Sequence, residues 1–256
     1  MLAGFALATI IALAAHAKRS LSASGALAAV AVATACAAAG WSWAWMLIAF
    51  FTSATLLSKF GEGAKRARTG DIVEKGGERD VWQVLANGGV FAALAIASLA
   101  WPSVLWQAAG AGAIAASTSD TWATEIGTLS SAVPRSIITR TRVPPGTSGG
   151  VTPIGTITGL AGAIFIAIVA LLAGWPLRAA CAAIVGGFAG SLVDSIVGAS
   201  IQRKRWCEQC GHGTERAVHT CGTVTMPAGG FRWLGNDLVN LVSTIGGACL
   251  GSLCLL

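Results

Sequence analysis

The chain has 256 residues, 54% of them apolar and 11% charged, with a mean hydropathy of +0.70 and a formal net charge of +6. That balance excludes a soluble globular domain. The positive surplus lies in short loops without interleaved aromatics, which argues against a nucleic-acid partner. It points instead to membrane topology and to contact with anionic lipid headgroups.

Eight apolar stretches are predicted to cross a bilayer, at residues 2–17, 23–39, 41–57, 84–101, 103–117, 155–175, 177–201 and 233–256. The first ends in Ala15-His16-Ala17, which resembles a signal-peptidase site. No basic residue precedes it, however, and Lys18 and Arg19 follow it, which predicts a retained helix with its N-terminus outside. The second and third stretches could form one long helix, but Gly40 beside Trp41, Trp43 and Trp45 marks an interfacial turn. The remaining tryptophans, Trp82, Trp101, Trp106, Trp122, Trp175, Trp206 and Trp233, also lie at or near predicted helix ends. The loop at 58–82 carries Lys59, Lys65, Arg66, Arg68, Lys75 and Arg79 among five acids. Most of these charges read as solvated surface, with Lys65 and Arg79 able to neutralise a polyphosphate.

The fourth and fifth stretches join tightly at Trp101–Pro102, and the loop at 128–153 adds Arg135, Arg140 and Arg142. The sixth and seventh join at Trp175–Leu177, and the loop at 202–232 adds Arg203, Lys204, Arg205, Arg216 and Arg232. Sixteen of the seventeen Lys and Arg residues, all but Arg178, thus fall on one side. Because Lys and Arg are retained in the cytoplasm, both termini are expected outside and all three long loops inside. The expected architecture is all-α: one polytopic helical bundle over 1–256, with about eight transmembrane helices, in the cell membrane. Abundant Ala and Gly predict closely packed helices, including a stripe of Gly186, Gly190, Asp194 and Gly198.

Four carboxylates lie in or beside apolar spans: Asp120, Glu125, Asp194 and Asp237. An ionised carboxylate at a helix centre costs about 2.5–3.5 kcal/mol, so such groups normally face the bundle interior. Helix rise puts Asp120 and Asp194 near the inner ends of their helices. Asn236, Asp237 and Asn240 open the last helix on the same side, and Gln83 and Asn87 open the fourth. Several carboxylates at one depth suit a hard cation such as Mg2+ shared with substrate phosphates. Asp120 and Asp194 are the stronger ligands. Asp120 and Glu125 stand about 140° apart on an ideal helix, so either the helix breaks near residues 121–124 or Glu125 serves another partner. Ion pairs with Arg135 or Arg140 are the plain structural alternative.

The segment Pro144-Pro145-Gly146-Thr147-Ser148-Gly149-Gly150-Val151-Thr152-Pro153 cannot be helical, and its glycines let the backbone approach an anion. It leads into a helix N-terminus near Gly155, so Gly146, Thr147, Ser148, Gly149 and Gly150 form a candidate phosphate cradle. It lacks Walker spacing. In the last loop Cys207-Glu-Gln-Cys210, with His212, His219 and Cys221, has zinc-like spacing. The ligand set Cys207, Cys210, His219 and Cys221 would make a structural Zn2+ site; reduced, unliganded thiols are the alternative.

Residues 119–127 (SDTWATEIG), 143–152 (VPPGTSGGVT), 190–199 (GSLVDSIVGA) with Gln202, and 234–243 (LGNDLVNLVS) resemble one family of integral membrane proteins. It groups transmembrane protein nineteen with the phytyl-phosphate kinase of plants and cyanobacteria (domain of unknown function ninety-two). The resemblance implies transfer of the terminal phosphate of a nucleotide, CTP first, to a prenyl or phytyl monophosphate lying in the inner leaflet. Asp120, Glu125 and Asp194 would be catalytic, with Mg2+ on Asp120, Asp194 and Asp237. Lys65, Arg79, Asn87, Asn236, Asn240 and the Gly146–Gly150 loop would contact nucleotide and phosphate. Gly235 stands where an acid is expected, which weakens Asp237 as a ligand. Alternatives are a secondary transporter or channel with an inner carboxylate site, and a polyprenol kinase or cytidylyltransferase of the same general type.

Overall fold

The computed structural model describes residues 2–255. In chain order these form α1 (Leu2–Ala17), α2 (Ala23–Ala39), α3 (Trp41–Lys59), a short α4 (Glu62–Thr69), α5 (Val81–Ala100) and α6 (Val104–Gly127). A two-residue hairpin, β1 (Arg135–Ser136) with β2 (Gly150–Val151), leads to α7 (Pro153–Leu172) and α8 (Leu177–Ser200). A three-stranded ribbon follows, β3 (Lys204–Cys207), β4 (His212–Thr214) and β5 (Met226–Gly229), in the order β4-β3-β5, and then α9 (Asn236–Leu253).

Each predicted apolar stretch is one long helix, except that Leu256 lies outside the described residues. Four of them, α3, α5, α7 and α8, are both long and apolar enough to cross a bilayer. Helices α1 and α2 have 16 and 17 residues, short of the roughly 20 that a full crossing needs. Exposed Leu13, Leu27, Ile157 and Leu172 coat the outside, as expected where the surrounding solvent is hydrocarbon. The all-α expectation holds for the bundle and misses the strands, which form in loops whose Gly and Pro residues exclude helix. It also misses α4, where Glu62 in the first turn and Arg66 and Arg68 in the last complement the helix dipole.

The boundary that matters most is that of α6, which runs ten residues beyond its predicted end at 117. Ser117, Thr118 and Ser119 look like an exit from the membrane, yet all three are buried. The Thr118 hydroxyl donates to Ile114 O at 2.8 Å, and Ser117 donates to Asn87 O of α5 at 2.8 Å. Polar side chains that bond to backbone carbonyls let the helix continue at no cost in unpaired donors.

Helix α6 is the hub, packed by α3, α5, α7, α8 and α9. Every residue from 108 to 119 is buried, as required of a helix with neighbours on all sides. The contact is backbone against backbone. A Cβ placed on Gly112 would collide with the carbonyl of Gly247 in α9, so only glycine allows this approach. A second cluster packs Trp43 against Phe91 and Trp175, with ring centroids 5.0 and 4.7 Å apart. Trp43 and Trp175 are therefore core residues and not interfacial anchors, because their short turns aim them inward. Trp82, Trp101 and Trp233 remain exposed near helix ends, as expected.

Candidate functional site at the loop end of the bundle

The loop-side ends of α3 and of α5 to α9, together with the three long loops, line a cavity of about 1610 Å³. Every residue assigned above to phosphate, nucleotide or magnesium lines it: Asp120, Glu125, Asp194, Asp237, Lys65, Arg79, Asn87, Gly146, Thr147, Ser148, Gly149, Gly150, Asn236 and Asn240. Charge counting had placed the loops on one side, and here they meet around one space.

Because α6 is unbroken, Asp120 and Glu125 turn to different neighbours. Glu125 pairs with Lys65 of α4 and accepts from the Ser58 hydroxyl at 2.5 Å. The Lys65 ammonium also donates to Leu57 O at 2.7 Å and Ser58 O at 2.8 Å, so its three protons are all engaged. Of the two alternatives for Glu125, a different partner is the one observed.

Asp120 and Asp194 differ. Neither makes a salt bridge among the described residues. Arg135, offered as a partner from sequence, instead donates to Arg140 O at 2.9 Å. Asp194 lies in the field of Asp120 and of Glu215, and Asp120 in that of Glu125. Asp194 Oδ2 is buried with no hydrogen-bond partner. A Ser119–Ser191 hydroxyl contact of 2.9 Å ties α6 to α8 beside them. Two acids held together without counter-ions suit a cation.

Asp237 opens α9 and bonds Lys75 at 2.6 Å, while Lys75 also reaches Asp80 at 2.7 Å. Burial works against the Lys75 cation, but its bonds to Asp237 and Asp80 win and raise its pKa. Asp80 is the N-cap of α5 in a full capping box with Gln83. One lysine thus fastens the starts of α5 and α9.

The glycine-rich loop turns on Gly150 N to Thr147 O (2.9 Å) and leads to Thr152, whose hydroxyl caps α7 by accepting from Gly155 N at 3.1 Å. Gly149 has φ +73°, and a Cβ there would overlap Ala199 of α8. No other residue satisfies both demands. Ser148 donates to Glu215, which also accepts from Gln202 at 3.1 Å. Burial pushes the Glu215 carboxyl above its ordinary range, against the Ser148 bond.

Arg79 is fixed through its backbone, Ser22 N to Arg79 O at 3.0 Å and Arg79 N to Ser20 O at 3.1 Å. Its guanidinium donates only to the hydroxyls of Thr55 (3.2 Å) and Ser58 (3.5 Å). Burial pushes its pKa below the ordinary arginine value, partly countered by the charge of Glu125.

Four cavity residues escaped the sequence reading. Glu74 and Arg203 form a 2.7 Å ion pair, Glu215 reaches in from the cysteine loop, and Lys75 bridges two helices. They sit among many loop charges, and no local spacing separates them from solvated ones.

The ribbon gathers the sulfur cluster. Ligand atoms of Cys207, Cys210, His219 and Cys221 all lie within 4.8 Å of one another, and the Cys207 and Cys221 sulfurs are 3.7 Å apart. Two thiolates sharing a tetrahedral zinc at ~2.3 Å would be separated by about 3.8 Å. His212 stays outside the set, with its ring 4.8 Å from that of His219. Hydrogen bonding with Thr223 and His219 pulls the Cys221 thiol down to about 6, and hydrogen bonding with Cys221 pushes that of Cys210 up to about 11.

Residues 6–248 match the model of the family described as integral membrane protein DUF92. The chain is 34% identical over 211 residues to the uncharacterized membrane protein MJ0933 of Methanocaldococcus jannaschii, covering 81% of this chain and 74% of that one. It is 33% identical over 227 residues to Protein PGR of Arabidopsis thaliana, covering 78% and 77%. Protein VTE6, chloroplastic, of the same plant is 30% identical over 205 residues, covering 77% of this chain and 54% of its own length. No solved structure matches. By the extent of the family match and by these relatives, the chain belongs to the DUF92 family of integral membrane proteins.

Proposed function

We propose that the protein is a membrane kinase that passes the terminal phosphate of a nucleotide, CTP first, to a prenyl or phytyl monophosphate, forming the diphosphate. Eight crossings, termini outside and a cavity facing the cytoplasm complete the proposal. The observation that carries it is the pair Asp120 and Asp194, without counter-ions, in a cavity that also holds Arg79 and a glycine-rich loop.

The acceptor phosphate is already ionised, so no strong general base is needed. Its oxygen attacks the terminal phosphorus, the bond to the bridging oxygen breaks, and the nucleoside diphosphate leaves. Alignment and charge neutralisation are then the protein's tasks. Asp120 and Asp194, with Asp237 as the weakest of the three, would hold Mg2+, which when bound would neutralise the nucleotide phosphates; the orphaned Asp194 Oδ2 fits that use. Backbone N–H groups of Gly146 to Gly150, with Asn236, Asn240 and Asn87 around the cavity, would orient the nucleotide. The guanidinium of Arg79 would hold acceptor phosphate. Lys65 and Glu125 act together as a brace that fixes α4 against α6. Cys207, Cys210, His219 and Cys221 would hold a structural Zn2+ that stiffens the loop delivering Glu215.

A transporter or channel gains no support from the relatives. The test is purified protein in detergent with Mg2+, labelled CTP, ATP or GTP, and a panel of prenols and prenyl monophosphates. Label is expected in prenyl diphosphate, and Asp120→Asn and Asp194→Asn should each lower turnover by about 10²-fold or more without lowering thermal stability. Absence of labelled lipid with every acceptor, together with solute flux in proteoliposomes, would overturn the proposal.

A further inference from the structure

A second space lies between α1, α2, α3 and α5, a narrow apolar slot of about 110 Å³. Its walls are faces of small residues, such as Ala8 and Ala12 of α1 and Ala29 and Ala33 of α2, opposite Leu47 and Phe51 of α3. Such faces usually close on one another; here they leave room. At its inner end the slot meets the polar cavity, because Arg79, Gln83, Asn87 and Thr121 line both spaces.

The junction has a definite chemistry. Arg79 makes no salt bridge among the described residues, and its guanidinium rests only on Thr55 and Ser58. The charge of Glu125 reaches Arg79 only across Ser58 and is already paired with Lys65, so a desolvated cation with neutral hydrogen-bond partners favours an anion. Along α3, the slot runs from Trp41 to Phe51, about 15 Å at 1.5 Å per residue, and Thr55 is one turn further in. That is about half of a 30 Å hydrocarbon core, the half nearer the Gly40 turn, with Arg79 between it and the polar cavity.

We infer that this slot holds the hydrocarbon tail of the acceptor lipid, a single prenyl chain, with Arg79 gripping its phosphate where the slot opens into the cavity. An apolar groove ending in an unpaired guanidinium complements an amphiphile with one tail and one anionic head. Its narrowness disfavours a two-chain phospholipid. The head-group identity rests on the proposed kinase function; the tail site does not require turnover.

The test therefore reads binding and not catalysis. A long-chain prenyl monophosphate with a diazirine at its far end is photolysed with the full-length protein in nanodiscs, without nucleotide, and labelled peptides are mapped. Label is expected on α1, α2 and the first half of α3, competed by unlabelled prenyl monophosphate and not by phosphatidic acid. Ala33→Phe, which fills the slot, should lower labelling about tenfold. Arg79→Gln should weaken competition by the monophosphate while leaving that of the corresponding prenol unchanged. Label elsewhere, or equal competition by phosphatidic acid, would overturn the inference even if the protein proves to be a kinase. Label in the slot from a protein that never transfers phosphate would sink the kinase proposal and keep the slot.

Discussion

Lys65→Met removes the cation that faces Glu125 while keeping the length of the side chain. The two side chains are 11% and 19% exposed, so the carboxylate left behind is largely cut off from water and retains only the Ser58 hydroxyl. Breaking a buried pair from one side costs about 3–5 kcal/mol. The residual exposure and the Ser58 bond place this case near 3 kcal/mol. For a chain of this size each kcal/mol shifts Tm by about 2–4 °C, so a fall of about 6–12 °C is expected. Lys65→Met with Glu125→Leu removes the stranded charge and should recover most of the loss. A deficit of about 1–2 kcal/mol should persist, because Leu57 O and Ser58 O lose their donor. The assay is intrinsic tryptophan fluorescence during heating in detergent. A single variant melting within 2 °C of the parent, or a double variant no better than the single, would refute the brace.

Gly149→Ala forces a side chain into a left-handed backbone against Ala199, and should raise the nucleotide KM about tenfold with a smaller effect on kcat, measured by initial rates. Metal analysis of the purified protein should find one zinc per chain. Cys207→Ser should abolish it and raise proteolytic cleavage of residues 204–229, read by limited digestion. Asp80→Asn keeps a capping side chain and should cost about 0.5 kcal/mol at neutral pH, through loss of the Lys75 ion pair and of the negative charge at the helix N-terminus. Burial opposes the Asp80 charge, yet the hydrogen bond from Lys75 and those from Gln83 and Trp82 amides hold its carboxyl below its ordinary 3.8. Its contribution is therefore present above that ordinary value and lost as pH falls through the lower folded one, so the two melting curves should converge in acid.

Apolar runs broken by Gly40, Pro102 and Pro176 were enough to place every long helix, because in lipid a span must satisfy its own backbone. The segregation of Lys and Arg foretold that three loops share one end, and the loops there enclose a single cavity. What could not be read were contacts between residues far apart in the chain. Glu125 and Lys65 are separated by 60 residues, and nothing local to either pairs them. Lys75 looked like one base among many until α9 brought Asp237 beside it. The length of α6 was hidden because Thr and Ser read as solvent-facing in isolation, whereas packing gives their hydroxyls carbonyls to bond. Trp43 and Trp175 were misplaced for a similar reason: position along a helix sets depth, but only neighbours set direction.

The meeting of α6, α8 and α9 through bare main chain, with Gly112 and Gly186 both set against Gly247, has a bearing on how such proteins diverge. With so few rotatable groups at that seam, there is little that mutation can adjust without prising the helices apart. Relatives that differ in what they bind should therefore share this seam almost unchanged and differ around α1 to α3 and the three loops.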